Sequence, residues 1–304
     1  MNPTVLIIGG SGLLALNWAL TIRDRFSVIL GLHERDIQLV GIETRRIDLE
    51  SVDHLVRMFE TLQPQIVIHT AGLTNVEKCE ARPDLAQHIN VDLAANVAQA
   101  CARLKLSLVH ISTDHLFSGE TSWVDENQPV APKNIYGRTK AAAEIQVLDA
   151  HPQALVIRTN FYGWSPSYRR SFSDVIIDAL HSGGKLTLFK DAFYTPILIE
   201  VLTQAVHDLI NLKASGIFNV VGDERISKCN FGLKLAEKFD LNPNLIKPGF
   251  LVGQTALVQR PRDMSLSNQK ICKLLGRKLG GVEEHIARLY LQEQNGLARE
   301  IQKL

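Results

Sequence analysis

A short apolar run, Val5–Ile8 (VLII), passes directly into Gly9-Gly10-Ser11-Gly12 and then into a helical pattern starting at Leu13. Few folds accept that juncture. A buried strand must leave its sheet, reverse within a few residues and start a helix, and glycine turns such a corner without a Cβ in the way. Gly9 permits the tight turn, Gly12 leaves bare backbone where a pyrophosphate approaches, and small Ala15 lets the helix lie close to the strand. Ser11, Leu13 and Leu14 start that helix, whose free N–H groups and positive dipole end suit a phosphate. In this strand–turn–helix setting the turn is read as a dinucleotide-phosphate loop; an ordinary turn is the alternative.

Short apolar runs then alternate with helical patterns. Strands are expected at Phe26–Leu30, Arg45–Asp48, Gln65–His69, Leu106–Ile111 and Ala154–Arg158, with helices over Leu13–Arg25, Val52–Leu62, Asp84–Leu104 and from Tyr136 through Leu148. Pro64 stops the second helix. Continuous apolar strands between helices describe a parallel sheet covered on both faces, hence an α/β, doubly wound fold. Beyond Arg158 the regularity falls away. Tyr162–Arg170, rich in aromatic, Ser and Arg residues, reads as a loop, Ile217–Val221 as a strand, and Val282–Leu304 as an amphipathic surface helix.

Composition excludes some function classes. Lys+Arg number 33 against 32 Asp+Glu, a net charge of +1, which provides no field for gripping nucleic acid. Cys79, Cys101, Cys229 and Cys272 are scattered without ligand spacing and read as reduced thiols. No metal motif is present, there is no cationic leader, and no stretch approaches the roughly 20 apolar residues of a membrane span. The expectation is a cytoplasmic protein with no metal, nucleic-acid or membrane partner.

The second strand ends Leu30-Gly31-Leu32-His33-Glu34-Arg35. An NAD site usually places a carboxylate at that strand end. Here His33 and Arg35 could meet a 2′-phosphate, which favours NADP, while Glu34 keeps NAD open. Asp48 and Leu49 at the end of the third strand are candidates for the adenine edge, a surface Asp being the alternative. Thr70, Ala71, Gly72 and Thr74 follow the fourth strand, where small residues let a cofactor ribose pass. Asn90, a poor helix former inside a helix, either meets the cofactor or ties two helices together.

Tyr136-Gly137-Arg138-Thr139-Lys140 opens a helix, and four residues place Tyr136 and Lys140 on one face. A phenol with a pKa of about 10 is a poor acid–base group at neutral pH. A neighbouring ammonium is expected to lower it, so that Tyr136 can donate a proton to a ketone oxygen as hydride reaches the carbon. The fifth strand ends Ile111-Ser112-Thr113-Asp114-His115, and ligands of a parallel α/β sheet sit at such ends. Thr113, with Ser112 beside it, is the candidate to hold the carbonyl; a turn cap is its alternative role. Asp114 and His115 are candidates for substrate contact or for loop structure.

These motifs together resemble the extended short-chain dehydrogenases/reductases, and within them the dTDP-4-dehydrorhamnose reductase family. The carriers span nearly the whole chain: Gly9–Ala15, His69–Glu80, Ile89–Ala98, Ile111–Gly119, Asn134–Glu144, Val156–Gly163, Gly216–Glu237 and Arg260–Lys270. The resemblance implies a Rossmann-type sheet over 1–164 plus about 192–222, and a smaller C-terminal substrate domain from about 165–191 and 223–304. It implies NADP or NAD as cofactor, a sugar nucleotide as substrate, and Thr113, Tyr136 and Lys140 as the catalytic set. A homodimer is compatible with it. The chain departs from the family's pattern at His69 (usually Asn), at His115 (usually Tyr) and at Asn160-Phe161 (a Trp-type position). His115, Phe161 and Arg262 are the residues through which the substrate's identity would be read. A non-catalytic NADP-binding subunit like the methionine adenosyltransferase beta subunit, and a sugar-nucleotide epimerase or dehydratase, are the alternatives.

Overall fold

The computed structural model describes residues 2–254 and 256–304. Among them, β1 (Thr4–Ile8), β2 (Ser27–Leu32), β3 (Glu43–Arg46), β4 (Ile66–His69), β5 (Ser107–Ile111) and β6 (Leu155–Arg158) join one parallel sheet in the order β6-β5-β4-β1-β2-β3. The linking helices are α1 (Leu13–Ile22), α2 (Val52–Leu62), α3 (Val76–Ala81), α4 (Pro83–Gln87), α5 (Leu93–Leu104) and α6 (Ile135–Ala150). Chain direction reverses its progress across the sheet between β1 and β4, so loops leaving their carboxyl ends diverge and open a crevice there.

Alternation along β1 divides the core. Val5 and Ile7 pack with α1 on one face, while Leu6 and Ile8 pack with residues of α2, α5 and α6 on the other. All four are at most 2% exposed. Each such side chain contributes about 1.5–3 kcal/mol through burial, which holds the sheet between its helix layers.

Several boundaries differ from the sequence expectation. β3 ends at Arg46, so Asp48 and Leu49 lie beyond it rather than on it. The helix expected over Asp84–Leu104 starts at Pro83 and carries a π-turn, His88–Asp92, that the apolar period does not signal. α2 closes on Gln63 in the left-handed conformation, and Pro64 after it disfavours a further right-handed helical residue. The tail is two helices, α11 (Val282–Gln294) and α12 (Leu297–Gln302), separated at Gly296, whose φ of +84° turns the chain.

After β6 the chain forms β7 (Phe161–Tyr162), α7 (Phe172–His181), β8 (Leu186–Phe189), β9 (Phe193–Tyr194) and β10 (Ile197–Leu198). It then returns to the sheet: α8 (Ile199–Asn211) packs on α1, and β11 (Gly216–Asn219) adds a seventh parallel strand beside β6. β12 (Ile226–Ser227), α9 (Lys228–Lys238), β13 (Ile246–Gly249) and α10 (Gln269–Leu275) complete the fold with α11 and α12. α9 lies against α7, β8 and α11, and its Phe231 ring meets Tyr162, Tyr194 and Phe172. Of this aromatic knot, Phe172 reaches the crevice. No helix among the described residues is long and apolar enough to cross a membrane.

Candidate active site

The glycine turn is tied down before any ligand arrives. The N–H groups of Gly9 and Gly10 both donate to the Gly31 carbonyl, at 3.1 and 2.9 Å, and Gly12 N–H donates to Gly9 O at 2.9 Å. Gly9 has φ +88°, and a Cβ there would stand 2.7 Å from Ala71 N, so glycine is required on both counts. A Cβ on Gly12 would meet only the Gly9 carbonyl, at 3.1 Å. Gly12 also begins α1 with no side-chain cap, leaving the first helical N–H groups without partners inside the helix. A pyrophosphate fits this cradle: bare backbone, free donors and a helix dipole converge on one spot.

Below the turn lies a crevice of about 440 Å³. Gly12, Leu13 and Leu14 line one end; Thr70, Ala71, Gly72 and Thr74 line its floor beyond β4. Ser112, Thr113, Asp114 and His115 enter from the end of β5, Tyr136 and Lys140 from α6, and Phe161 from β7. The helix that carries Tyr136 and Lys140 is placed by Asn134, whose side chain accepts from Gly137 N–H at 2.9 Å and caps the helix. Gly137 is bare because a Cβ there would stand 2.4 Å from the His115 carbonyl. That close approach brings α6 against the β5 loop and sets the His115 ring edge-on to Tyr136, centroids 5.5 Å apart.

The electrostatics correct one expectation. Burial pushes the Tyr136 phenol up, to about 12, and the facing Thr113 hydroxyl offsets only part of that. The Lys140 ammonium does not depress it, because it is turned toward the sheet: Nζ donates to the Ile111 carbonyl at 2.8 Å and lies 3.1 Å from His110 Nε2. Burial lowers Lys140 to about 8, opposed by Glu144 one turn along the helix. Tyr136 is thus a protonated phenol at neutral pH, a donor rather than a base. Thr113 serves two ends: its hydroxyl receives His115 N–H at 3.3 Å, as a turn cap would, and stands beside Asp114, whose other oxygen accepts from Asn160.

Other candidates fall outside the crevice. Ser11, His33, Glu34, Arg35 and Asp36 line a separate hollow at the carboxyl end of β2. The Arg35 guanidinium stacks 3.8 Å from the Tyr168 ring centre, and the Tyr168 hydroxyl donates to the Ser11 carbonyl at 2.8 Å. The Asp48 carboxylate accepts from Glu50 N–H at 3.0 Å, in the loop after β3 with part-buried Leu49. Asn90 has its amide engaged by the protein: Oδ1 accepts from Leu73 N–H at 2.7 Å, and Nδ2 donates to Leu73 O and Thr139 Oγ1 at 3.1 and 3.0 Å. It clasps the β4 loop to α6. Arg262 is exposed, 3.9 Å from Asp191, and lines another hollow with Arg225 and Arg260.

Sequence reasoning missed the far wall. Arg169, Arg170, Ser171 and Phe172 face the crevice, and Arg169 donates to Thr74 Oγ1 at 2.5 Å across it. The density of Tyr, Arg and Ser in the 162–170 loop was their only signal. Thr159 also lines the crevice, directly after β6, where strand-end position alone marks it, and Asn160 beside it lines the crevice at the position where the sequence departs from the family's pattern.

Residues 3–295 match the family described as RmlD substrate binding domain. The chain belongs to that family. A probable low-salt glycan biosynthesis reductase of Haloferax volcanii is 26% identical over 287 residues, covering 93% of this chain and 96% of that protein. The methionine adenosyltransferase 2 subunit beta of Pongo abelii is 27% identical, covering 89% and 82%. Among solved structures, dTDP-4-dehydrorhamnose reductase from Bacillus anthracis str. Ames in complex with NADP superposes with a TM-score of 0.84 at 25% identity, covering 96% of this chain and all of that one (100%). The doubly wound α/β fold inferred from the alternating pattern is therefore shared over almost the full length.

Proposed function

We propose that this member of the RmlD family reduces the ketone of a nucleotide-linked sugar, of the 4-keto-6-deoxy type, with NADPH or NADH as hydride donor. The observation that carries the reading is the convergence of Tyr136 and Thr113 in the crevice beneath the Gly12 turn. A bound nicotinamide supplies the hydride. The chain's own residues do the rest. Thr113 positions the carbonyl, and Tyr136 Oη gives its proton to the carbonyl oxygen as the carbon gains hydride, leaving an alcohol and a phenolate. Lys140, on the same face of α6, would steady this phenolate once its Nζ turns from the Ile111 carbonyl toward Oη. Thr70, Ala71, Gly72, Thr74 and Ser112 would flank the cofactor. Asp114, His115 and Phe161 would face the sugar, with residues 165–191 and 223–304 forming the substrate-binding domain.

NADP is favoured over NAD by Arg35, held at the carboxyl end of β2 on the Tyr168 ring, which is itself tied to the Ser11 carbonyl of the phosphate turn. The experiment is NADPH oxidation, followed by absorbance, with dTDP-4-dehydrorhamnose as acceptor. Tyr136→Phe should lose about 10²–10⁴ of kcat while still binding NADPH. Unchanged turnover would remove Tyr136 as the donor. A non-catalytic nucleotide-binding subunit is the second reading, favoured by the similarity to a methionine adenosyltransferase subunit. It predicts NADPH binding without turnover on any keto sugar, and co-purification with a synthetase.

A further inference from the structure

His69 and His110 are register partners on adjacent strands β4 and β5, so their side chains leave the sheet side by side on one face. Their Nδ1 atoms are 3.0 Å apart, and His110 Nε2 is 3.1 Å from Lys140 Nζ. Both imidazoles are 1% exposed, and His69 Nε2 has no hydrogen-bond partner among the described residues. Lysine, two histidines and an orphan nitrogen thus form one buried row.

The proton inventory of that row is constrained. An ammonium only donates, so with Lys140 charged, His110 Nε2 must accept. A neutral His110 then carries its proton on Nδ1 and donates it to His69 Nδ1. His69 in turn keeps its proton on Nε2. With Lys140 neutral, the mirror arrangement becomes equally allowed, because an amine accepts as well as donates. Burial holds both rings neutral through the working range, His69 to about 3 and His110 well below its ordinary value. Around Lys140 the titratable and charged groups are Glu144 and Tyr136 on its own helix, His110 on β5, His69 on β4, and Arg158 on β6, which is paired to Glu144.

We propose that the His69–His110 pair is a positioning element for Lys140, fixing one imidazole tautomer as the acceptor that keeps this lysine a cation at the end of β5. The role rests on the reductase reading above, in which Lys140 supports Tyr136. His69 acts at one remove: it touches His110 and not the lysine. Removing its acceptor nitrogen frees the His110 tautomer and weakens the hold on the ammonium. A hydrogen bond to the charged form raises a cation's pKa, so its loss lowers that pKa. The alkaline limit of activity must then move down.

Two measurements on the full chain decide this. Imidazole nitrogen NMR without substrate should find His110 protonated on Nδ1 and His69 on Nε2 at pH 7. Both signals should shift as Lys140 titrates, and that shift should vanish in Lys140→Met. In pH profiles of kcat, His69→Leu should lower the alkaline limit by about one pH unit with NADPH affinity unchanged. His69→Asn should restore it, since the amide oxygen can accept from His110. A His110 proton on Nε2 at pH 7, or a His69→Leu profile with the wild-type alkaline limit, overturns the proposal. So does equal behaviour of the Leu and Asn variants, which is what packing alone would give. If no keto sugar is turned over, the reductase reading fails by itself, and the NMR titration still decides whether the row answers to Lys140.

Discussion

Glu144 and Arg158 meet as a buried ion pair behind the crevice, Oε2 to Nη2 2.7 Å, with both side chains 4% exposed. Arg158 Nε adds bonds of 3.0 and 3.1 Å to the two carboxylate oxygens, and the Ser112 hydroxyl donates to Oε1 at 2.5 Å. The pair thereby ties α6, β6 and the strand end that precedes Thr113. Desolvation offsets most of the Coulomb attraction in such a site, so the pair's net worth is small while the cost of breaking it is large. Glu144→Gln should lose about 3–5 kcal/mol in urea denaturation, because Arg158 is left charged and unpaired. The double substitution Glu144→Leu with Arg158→Met should recover most of that loss. A single variant as stable as wild type would show that Arg158 finds another partner.

Gly10 and Gly12 are expected to fail in opposite ways. A Cβ on Gly10 would stand 2.7 Å from Leu30 Cβ and 3.0 Å from Leu32 Cδ2, both in the strand the turn packs against. Gly10→Ala is overpacked and should cost about 1–3 kcal/mol of stability. A Cβ on Gly12 meets only one backbone oxygen and points where the phosphates would lie. Gly12→Ala should therefore melt close to wild type and lose NADPH affinity, read by quenching of protein fluorescence. Equal melting losses in both variants would contradict this division.

How far the sequence carries depends on whether the signal is local. β1, the glycine turn and α1 were legible because apolar run, bare turn and helix are contiguous, and Tyr136 and Lys140 because one helical turn links them. The direction of the Lys140 side chain was not. It is set by His110, thirty residues away on β5 and brought close only by strand pairing. The same holds for Arg169 and Tyr168, whose partners Thr74 and Ser11 lie 95 and 157 residues away. The π-turn at His88–Asp92 was invisible because its residues keep a helical apolar period; it places Asn90 to clasp the β4 loop.

Arg35 offers a test of cofactor choice. Its guanidinium is held flat on Tyr168, so a phosphate at the hollow beside Ser11 would meet an already oriented cation. A hydrogen bond to a charged group contributes about 1.5–3 kcal/mol. Arg35→Ala should raise the NADPH dissociation constant about 10- to 100-fold and leave that for NADH within about threefold, since only the former carries the 2′-phosphate. Tyr168→Phe, losing the bond to the Ser11 carbonyl, should cost NADPH less than Arg35→Ala does. Equal losses for both cofactors would place Arg35 outside the 2′-phosphate site.

Acid should unfold this chain early, through its interior histidines. Burial holds His69 down to about 3 and His207 to about 4, and lowers His110, His115 and His285 as well. Below the unfolded value of about 6.5 the unfolded chain therefore binds more protons than the folded one, and stability falls as pH falls. Each such histidine contributes a slope of up to about 1.4 kcal/mol per pH unit once the pH is well below 6.5. Exposed His88, raised by Glu50, works in the opposite sense but is screened by solvent. Unfolding free energy from urea titrations should be nearly level from pH 8 to 7 and drop steeply from pH 6.5 to 5. His207→Gln should flatten part of that drop, because Gln can still accept from Trp18 Nε1–H, which His207 Nε2 now receives at 3.1 Å. A wild-type profile level down to pH 5 would mean that these rings gain solvent or a carboxylate partner before they charge.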